Sequence, residues 1–137
     1  MRDTGIVTTA IQSMDLVQRF YFSSGARSDI EEVMSRRVVW DITPGFPAAG
    51  TYRGLDAVLG DFLPRIGQVF SSMIARPQRF VADDLGHVAV LGVYTATVPD
   101  GRSVEARFTH LWTVEDGKIV RLDQTADTKV LHEILKD

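Results

Sequence analysis

The chain has 137 residues, with 15 Lys and Arg against 18 Asp and Glu for a formal charge of -3, and it contains no cysteine. That length suits one domain, 1–137, hiding roughly two thirds of its unfolded surface around a single core. Charges of both signs are scattered along the chain, which speaks against nucleic acid as a partner, and the lack of cysteine excludes disulfides, thiolate nucleophiles and Cys-ligated zinc.

The opening residues MRDTG carry no apolar leader, and no later stretch reaches the ~20 apolar residues of a membrane span. A cytoplasmic protein without a membrane partner is therefore expected. Thr8 or Thr9 caps a first helix in which Ile11, Met14, Val17 and Tyr21 form one apolar stripe, and Gly25 stops it. Ser28 or Asp29 caps a short second helix with Ile30, Val33 and Met34. The β-branched run from Arg36 to Ile42, ending in Trp40 and Asp41, is the first strand. Pro44, Gly45, Pro47 and Gly50 predict an irregular loop. Helical spacing resumes at Leu55, Val58, Leu59 and Phe62 after Gly54, and Pro64 is expected to kink or end that helix.

From Met73 the apolar period changes to two, predicting strands at about 73–82, 87–98, 103–114 and 118–126. The turns at Val98-Pro99-Asp100-Gly101 and Val114-Glu115-Asp116-Gly117 share one signature, and both are read as three-residue hairpin loops. Asp127 caps a closing helix with Val130, Leu131, Ile134 and Leu135 on one side. In the second hairpin, a three-residue loop pairs Val114 with Lys118, Trp112 with Val120, His110 with Leu122 and Phe108 with Gln124. This register is preferred because it keeps Arg121 and Asp123 off the apolar face. It makes His110 and Gln124 diagonal neighbours, roughly 7 to 8 Å apart.

His110 is the residue that stands out. It interrupts the apolar face formed by Val104, Ala106, Phe108, Trp112 and Val114, and a buried imidazole must find a partner, lose its charge or do chemistry. Two readings stay open: His110 and Gln124 satisfy each other in a solid core, or they border a cavity left between a curved sheet and its helices. Tyr94 shares the inward parity and is a further pocket candidate. Trp40 and Trp112 are core or rim residues that also suit an aromatic cleft, and Tyr52 with Arg53 is placed to close its mouth. His87 and His132 are peripheral. The histidine spacing fits no metal motif, so no metal and no organic cofactor are expected.

The element order ααβαββββ and the stretch HLWTVEDGKIVRLDQTAD from His110 to Asp127 resemble the nuclear transport factor 2-like superfamily. VVWDITPG at 38–45, GTYRG at 50–54 and HLWTVEDGKI are similar to its SnoaL-like, ketosteroid isomerase-related branch. The resemblance implies an α+β, cystatin-like fold, cone-shaped and barrel-like, with helices on a strongly curved, mostly antiparallel sheet. It further implies a small apolar organic ligand, a homodimer formed through the outer sheet face, and isomerisation, cyclisation or dehydration by proton transfer. Asp41 falls where isomerases of this branch hold the proton-shuttling carboxylate, and His110 where they hold the donor to the developing oxyanion. Tyr21, or equally Phe20, falls at their first-helix tyrosine. Asp127 is the alternative base that the SnoaL-like branch implies, although its position also suits a helix cap. Non-catalytic binding and assembly modules share the fold, so the fold does not decide the activity.

Overall fold

The computed structural model describes residues 9–136. Helix α1 (Ala10–Tyr21) starts at Thr9, whose hydroxyl accepts from Gln12 N–H at 3.2 Å while the Gln12 carboxamide oxygen accepts from Thr9 N–H at 3.0 Å. This reciprocal pair satisfies two of the amide donors that a helix start leaves open. The other cap candidate, Thr8, lies outside the described residues. Helix α2 (Arg27–Val33) begins after Ala26, so Ser28 and Asp29 lie inside it and do not cap it. Asp29 instead accepts from Ser24 Oγ at 2.6 Å, tying the helix to the preceding turn. Met34 leaves the helix and opens strand β1 (Met34–Ile42).

The expected loop after β1 hides a short strand, β2 (Gly50–Arg53), which pairs antiparallel with β1 and sets Tyr52 opposite Trp40. Helix α3 (Leu55–Ala57), a π-helical stretch (Val58–Phe62) and α4 (Leu63–Val69) follow one another without a break. Pro64 therefore does not end the helix. Leu63 N–H reaches back to Val58 C=O, widening the coil just before the proline, and Pro64 then sits in the first turn of α4, where its missing donor costs least.

Strands β3 (Ser72–Ala82), β4 (His87–Thr97), β5 (Ser103–Glu115) and β6 (Lys118–Ala126) complete a curved six-stranded sheet in the order β2-β1-β6-β5-β4-β3. Among the described strands only the β1–β6 pair is parallel. Helices α1 to α4 cover the concave face, and the fold is the α+β architecture expected. Helix α5 (Thr128–Leu135) is capped by Asp127, which accepts from Val130 N–H at 3.3 Å. His132 of α5 donates from Nε2 to Gly45 C=O at 2.6 Å, holding the β1–β2 loop against the helix.

Of the two hairpins with the shared turn signature, β4–β5 has the three-residue loop expected, with Val98 N–H bonded to Arg102 C=O at 2.9 Å. The second does not. Glu115 faces Lys118 across a two-residue turn in which Asp116 and Gly117 both adopt positive φ, at 50° and 76°. The register then slips once, because Val114 opposes Ile119 while Thr113 opposes Arg121, leaving Val120 as a bulge. His110 consequently lies directly opposite Gln124, and Phe108 opposite Ala126. Beyond the bulge the pairing departs from the expected one by two positions, an even number, so Arg121 to Ala126 keep their expected faces, whereas next to the turn Ile119, fully buried opposite Val114, takes the inward place expected of Lys118 and Val120.

Candidate functional site

Between the helices and the concave face lies a cavity of about 590 Å³. Phe20 and Tyr21 of α1, Ile30 of α2, Phe62 and Ile66 border it from the helices, and Trp40, Tyr94, His110, Trp112 and Gln124 form its sheet side. Leu63 and Ile74 also border it and are 43% and 48% exposed, which marks an apolar mouth beside the Ser23–Gly25 turn. Among the described residues no Asp, Glu, Lys or Arg lines the cavity.

Tyr21, Tyr94, Trp112 and Gln124 form one connected polar set around His110, which is 5% exposed. Tyr21 Oη lies 2.5 Å from His110 Nδ1, and Tyr94 Oη lies 2.6 Å from Nε2. Trp112 Nε1–H donates to Tyr21 Oη at 2.9 Å, and Gln124 Nε2–H donates to Tyr94 Oη at 3.0 Å. The Gln124 carboxamide is oriented by Thr43, whose backbone N–H donates to Oε1 at 3.2 Å. Burial penalises charge on each titratable member. It lowers His110 to about 3, and it raises both tyrosines well above the ordinary phenol range. At neutral pH the cluster therefore consists of a neutral imidazole held between two intact phenols. Trp40 Nε1–H is buried and has no partner among the described residues.

The SnoaL-like domain family model matches residues 17–122. This chain belongs to the SnoaL-like domain family, within the nuclear transport factor 2-like superfamily. Solved structures of the same fold include an NTF2-like protein from Burkholderia thailandensis E264, 26% identical with a TM-score of 0.83 over 91% of this chain and 98% of that one. TerC, co-crystallised with polyporic acid, is 26% identical with a TM-score of 0.82, covering 92% of this chain and 99% of its own. A chain described as a SnoaL-like polyketide cyclase, from Jannaschia sp. CCS1, is 16% identical with a TM-score of 0.75 over 98% and 97%, a likeness of fold alone. No curated protein matches.

In this SnoaL-like domain the expected site residues divide. Tyr21, Trp40, Tyr94, His110, Trp112 and Gln124 meet at the cavity, and Phe20 borders it beside Tyr21, so the two first-helix candidates are both present. Asp41 does not join them. Its neighbours Trp40 and Ile42 are buried on the concave side, so the strand alternation turns Asp41 to the convex face, where Thr51 Oγ1 donates to it at 3.2 Å and Arg121 pairs with it at 3.6 Å. Asp127 is spent on its helix cap and lies outside the cavity lining.

Tyr52 is also a correction. It is buried, packs on Phe62 at 5.0 Å between ring centroids and donates to Ala48 C=O at 2.5 Å, so it braces the β1–β2 loop and does not line the cavity. Phe108 stacks behind His110 at 4.0 Å and covers Gly92, where a Cβ would meet the ring at 2.6 Å. It supports the imidazole from outside the cavity. Phe46, Met34, Met73 and the α4 residues Leu63 and Ile66 are wall residues that the sequence did not single out. The parity of β1 was the one available signal that Asp41 faces outward. Among the described residues no group of three or more His, Asp or Glu is arranged to hold a metal, and no helix is long and apolar enough to cross a membrane.

Proposed function

We propose that this SnoaL-like domain takes a small, mostly apolar organic molecule into the cavity and polarises an oxygen of it through the Tyr21–His110–Tyr94 cluster. The observation that carries this reading is a cavity of about 590 Å³, without a charged side chain among the described residues that line it, where two tyrosines converge on one buried, neutral imidazole. A donor held in such surroundings stabilises negative charge developing on a carbonyl oxygen far better than it would in water. Isomerisation, cyclisation and dehydration by proton transfer next to a carbonyl all use that stabilisation. The co-crystal of TerC with polyporic acid supports a small organic occupant.

With Asp41 on the far side of the sheet, no carboxylate among the described residues lines the cavity to act as the base in such a reaction. That same feature favours a second reading, a binding module that holds its ligand without turnover. Tetralone in deuterated water separates the two. Binding with accelerated exchange at the carbon beside the carbonyl supports the enzyme, binding without exchange supports the module, and no binding contradicts both.

We further propose a homodimer through the convex face, where Leu91 and Leu111 are exposed beside Thr109 and the Asp41, Arg121 and Asp123 cluster. Sedimentation at micromolar concentration is expected to give twice the chain mass of 15.2 kDa, and a 15.2 kDa species contradicts it.

A further inference from the structure

The protons of the cluster can be counted. Tyr21 Oη receives the Trp112 indole N–H, and Tyr94 Oη receives an N–H of Gln124, whose orientation Thr43 fixes. Indole and carboxamide nitrogens only donate, so neither can take a proton from a tyrosine. The three groups joined by the two short contacts carry three exchangeable protons, one on each hydroxyl and one on the neutral ring. Two of these three protons fill the two contacts. Among the described residues the third has no acceptor.

Its position depends on the tautomer. With the ring proton on Nδ1, His110 donates to Tyr21, Tyr94 donates to Nε2, and the free proton is that of Tyr21. With the ring proton on Nε2, the free proton is that of Tyr94. In either case one tyrosine offers an O–H and the other an unused lone pair, and both tyrosines border the cavity.

We propose that Tyr21, His110 and Tyr94 form a charge-neutral proton relay for a ligand that carries one carbonyl oxygen conjugated through double bonds to one hydroxyl, so that the double bonds shift as the proton moves, the carbonyl accepting from one tyrosine while the hydroxyl donates to the other. This deepens the pocket reading above and rests on it. When the ligand hydroxyl passes its proton to the tyrosine it meets, that tyrosine passes its own to the adjacent imidazole nitrogen. The opposite N–H moves to the second tyrosine, whose former proton passes to the ligand carbonyl oxygen. One ligand O–H bond breaks and one forms, the protein keeps its proton number, and His110 changes only its tautomer. Because burial holds the ring uncharged, the four transfers are coupled and no imidazolium forms. The relay needs no carboxylate in the cavity.

Three probes of similar shape test it by fluorescence titration of the full chain: tetralin with no polar group, tetralone with the carbonyl alone, and 6-hydroxytetralone with both. The order expected is 6-hydroxytetralone tightest, about fivefold over tetralone, and tetralin weakest. Tyr21→Phe and Tyr94→Phe should each erase the gap between the two ketones. Equal binding of the two ketones to the unmutated protein overturns the relay and leaves the pocket reading standing, whereas failure of all three probes overturns both. Proton–nitrogen correlation spectra of the unmutated protein give a readout independent of any variant. Both His110 ring nitrogens should lie between the protonated and bare extremes and move in opposite directions with 6-hydroxytetralone. A single tautomer unmoved at saturation overturns the relay.

Discussion

Strands β5 and β6 carry polar residues on both faces, under opposite conditions. On the concave face His110 and Gln124 are 5% and 3% exposed, stand opposite one another and are neutral. On the convex face the Arg121 and Asp123 side chains, with Asp41 from β1, are 40% to 46% exposed and form an ion-pair cluster. Buried groups favour the uncharged form and hold to the partners they find, because an unmet donor costs about 1 to 3 kcal/mol and a desolvated charge more. Exposed ion pairs face no such constraint and contribute little. The concave set is thereby fixed in geometry and available for chemistry, while the convex set suits a surface that other surfaces meet.

The largest effect should come from Trp112→Ala. This ring is fully buried, donates to Tyr21 and packs against Phe20, Trp40 and His110, so its loss should cost about 3 to 5 kcal/mol in urea unfolding. A change below about 1 kcal/mol would mean that the concave face is not the rigid side.

Acid should break the concave face next. The unfolded imidazole titrates near ~6.5 and the folded one is lowered to about 3, so the unfolded state binds more protons between these values. Stability from this group is complete above about 6.5 and falls as pH drops toward 3. Asp83, lowered to about 2 chiefly by hydrogen bonds from His87, acts in the same sense but only below its ordinary 3.8. Unfolding measured between pH 6 and 4.5 therefore isolates His110. The unmutated protein should lose stability there, and His110→Gln should flatten the slope.

Smaller again is Tyr94→Phe, which leaves His110 Nε2 and an N–H of Gln124 without a partner and should cost roughly 1 to 3 kcal/mol. The smallest effect is expected of Asp41→Asn, within about 1 kcal/mol and with probe binding unchanged. A loss of probe binding in Asp41→Asn would return that carboxylate to the site and dissolve the contrast between the faces.

Much of this contrast was legible in the residues. The alternation through Ala106, Phe108, His110, Trp112 and Val114 gave the buried face of β5, and Thr9 with Gln12 encoded the start of α1. In the second hairpin His110, Trp112, Leu122 and Gln124 keep their expected faces, because the two-residue turn and the bulge at Val120 together move the register there by an even number, and only next to the turn does Ile119 take the inward place. What was hidden depends on distant parts of the chain. A four-residue strand among Pro and Gly exists because β1 offers it an edge, and the helix passes Pro64 because a π-helical stretch precedes it. The clasp on His110 joins side chains 89 and 16 residues away, a meeting that no local pattern encodes. The family resemblance points Asp41 into the cavity, but the alternation of β1, with Trp40 and Ile42 buried, turns it outward.

The central claim is that His110 is a buried, neutral ring bonded at both nitrogens. Its imidazole chemical shifts, followed by NMR from pH 7.5 to 5, test this directly. The account predicts shifts of a neutral ring that stay flat across that range; a titration midpoint near ~6.5, as for a solvated imidazole, would contradict it.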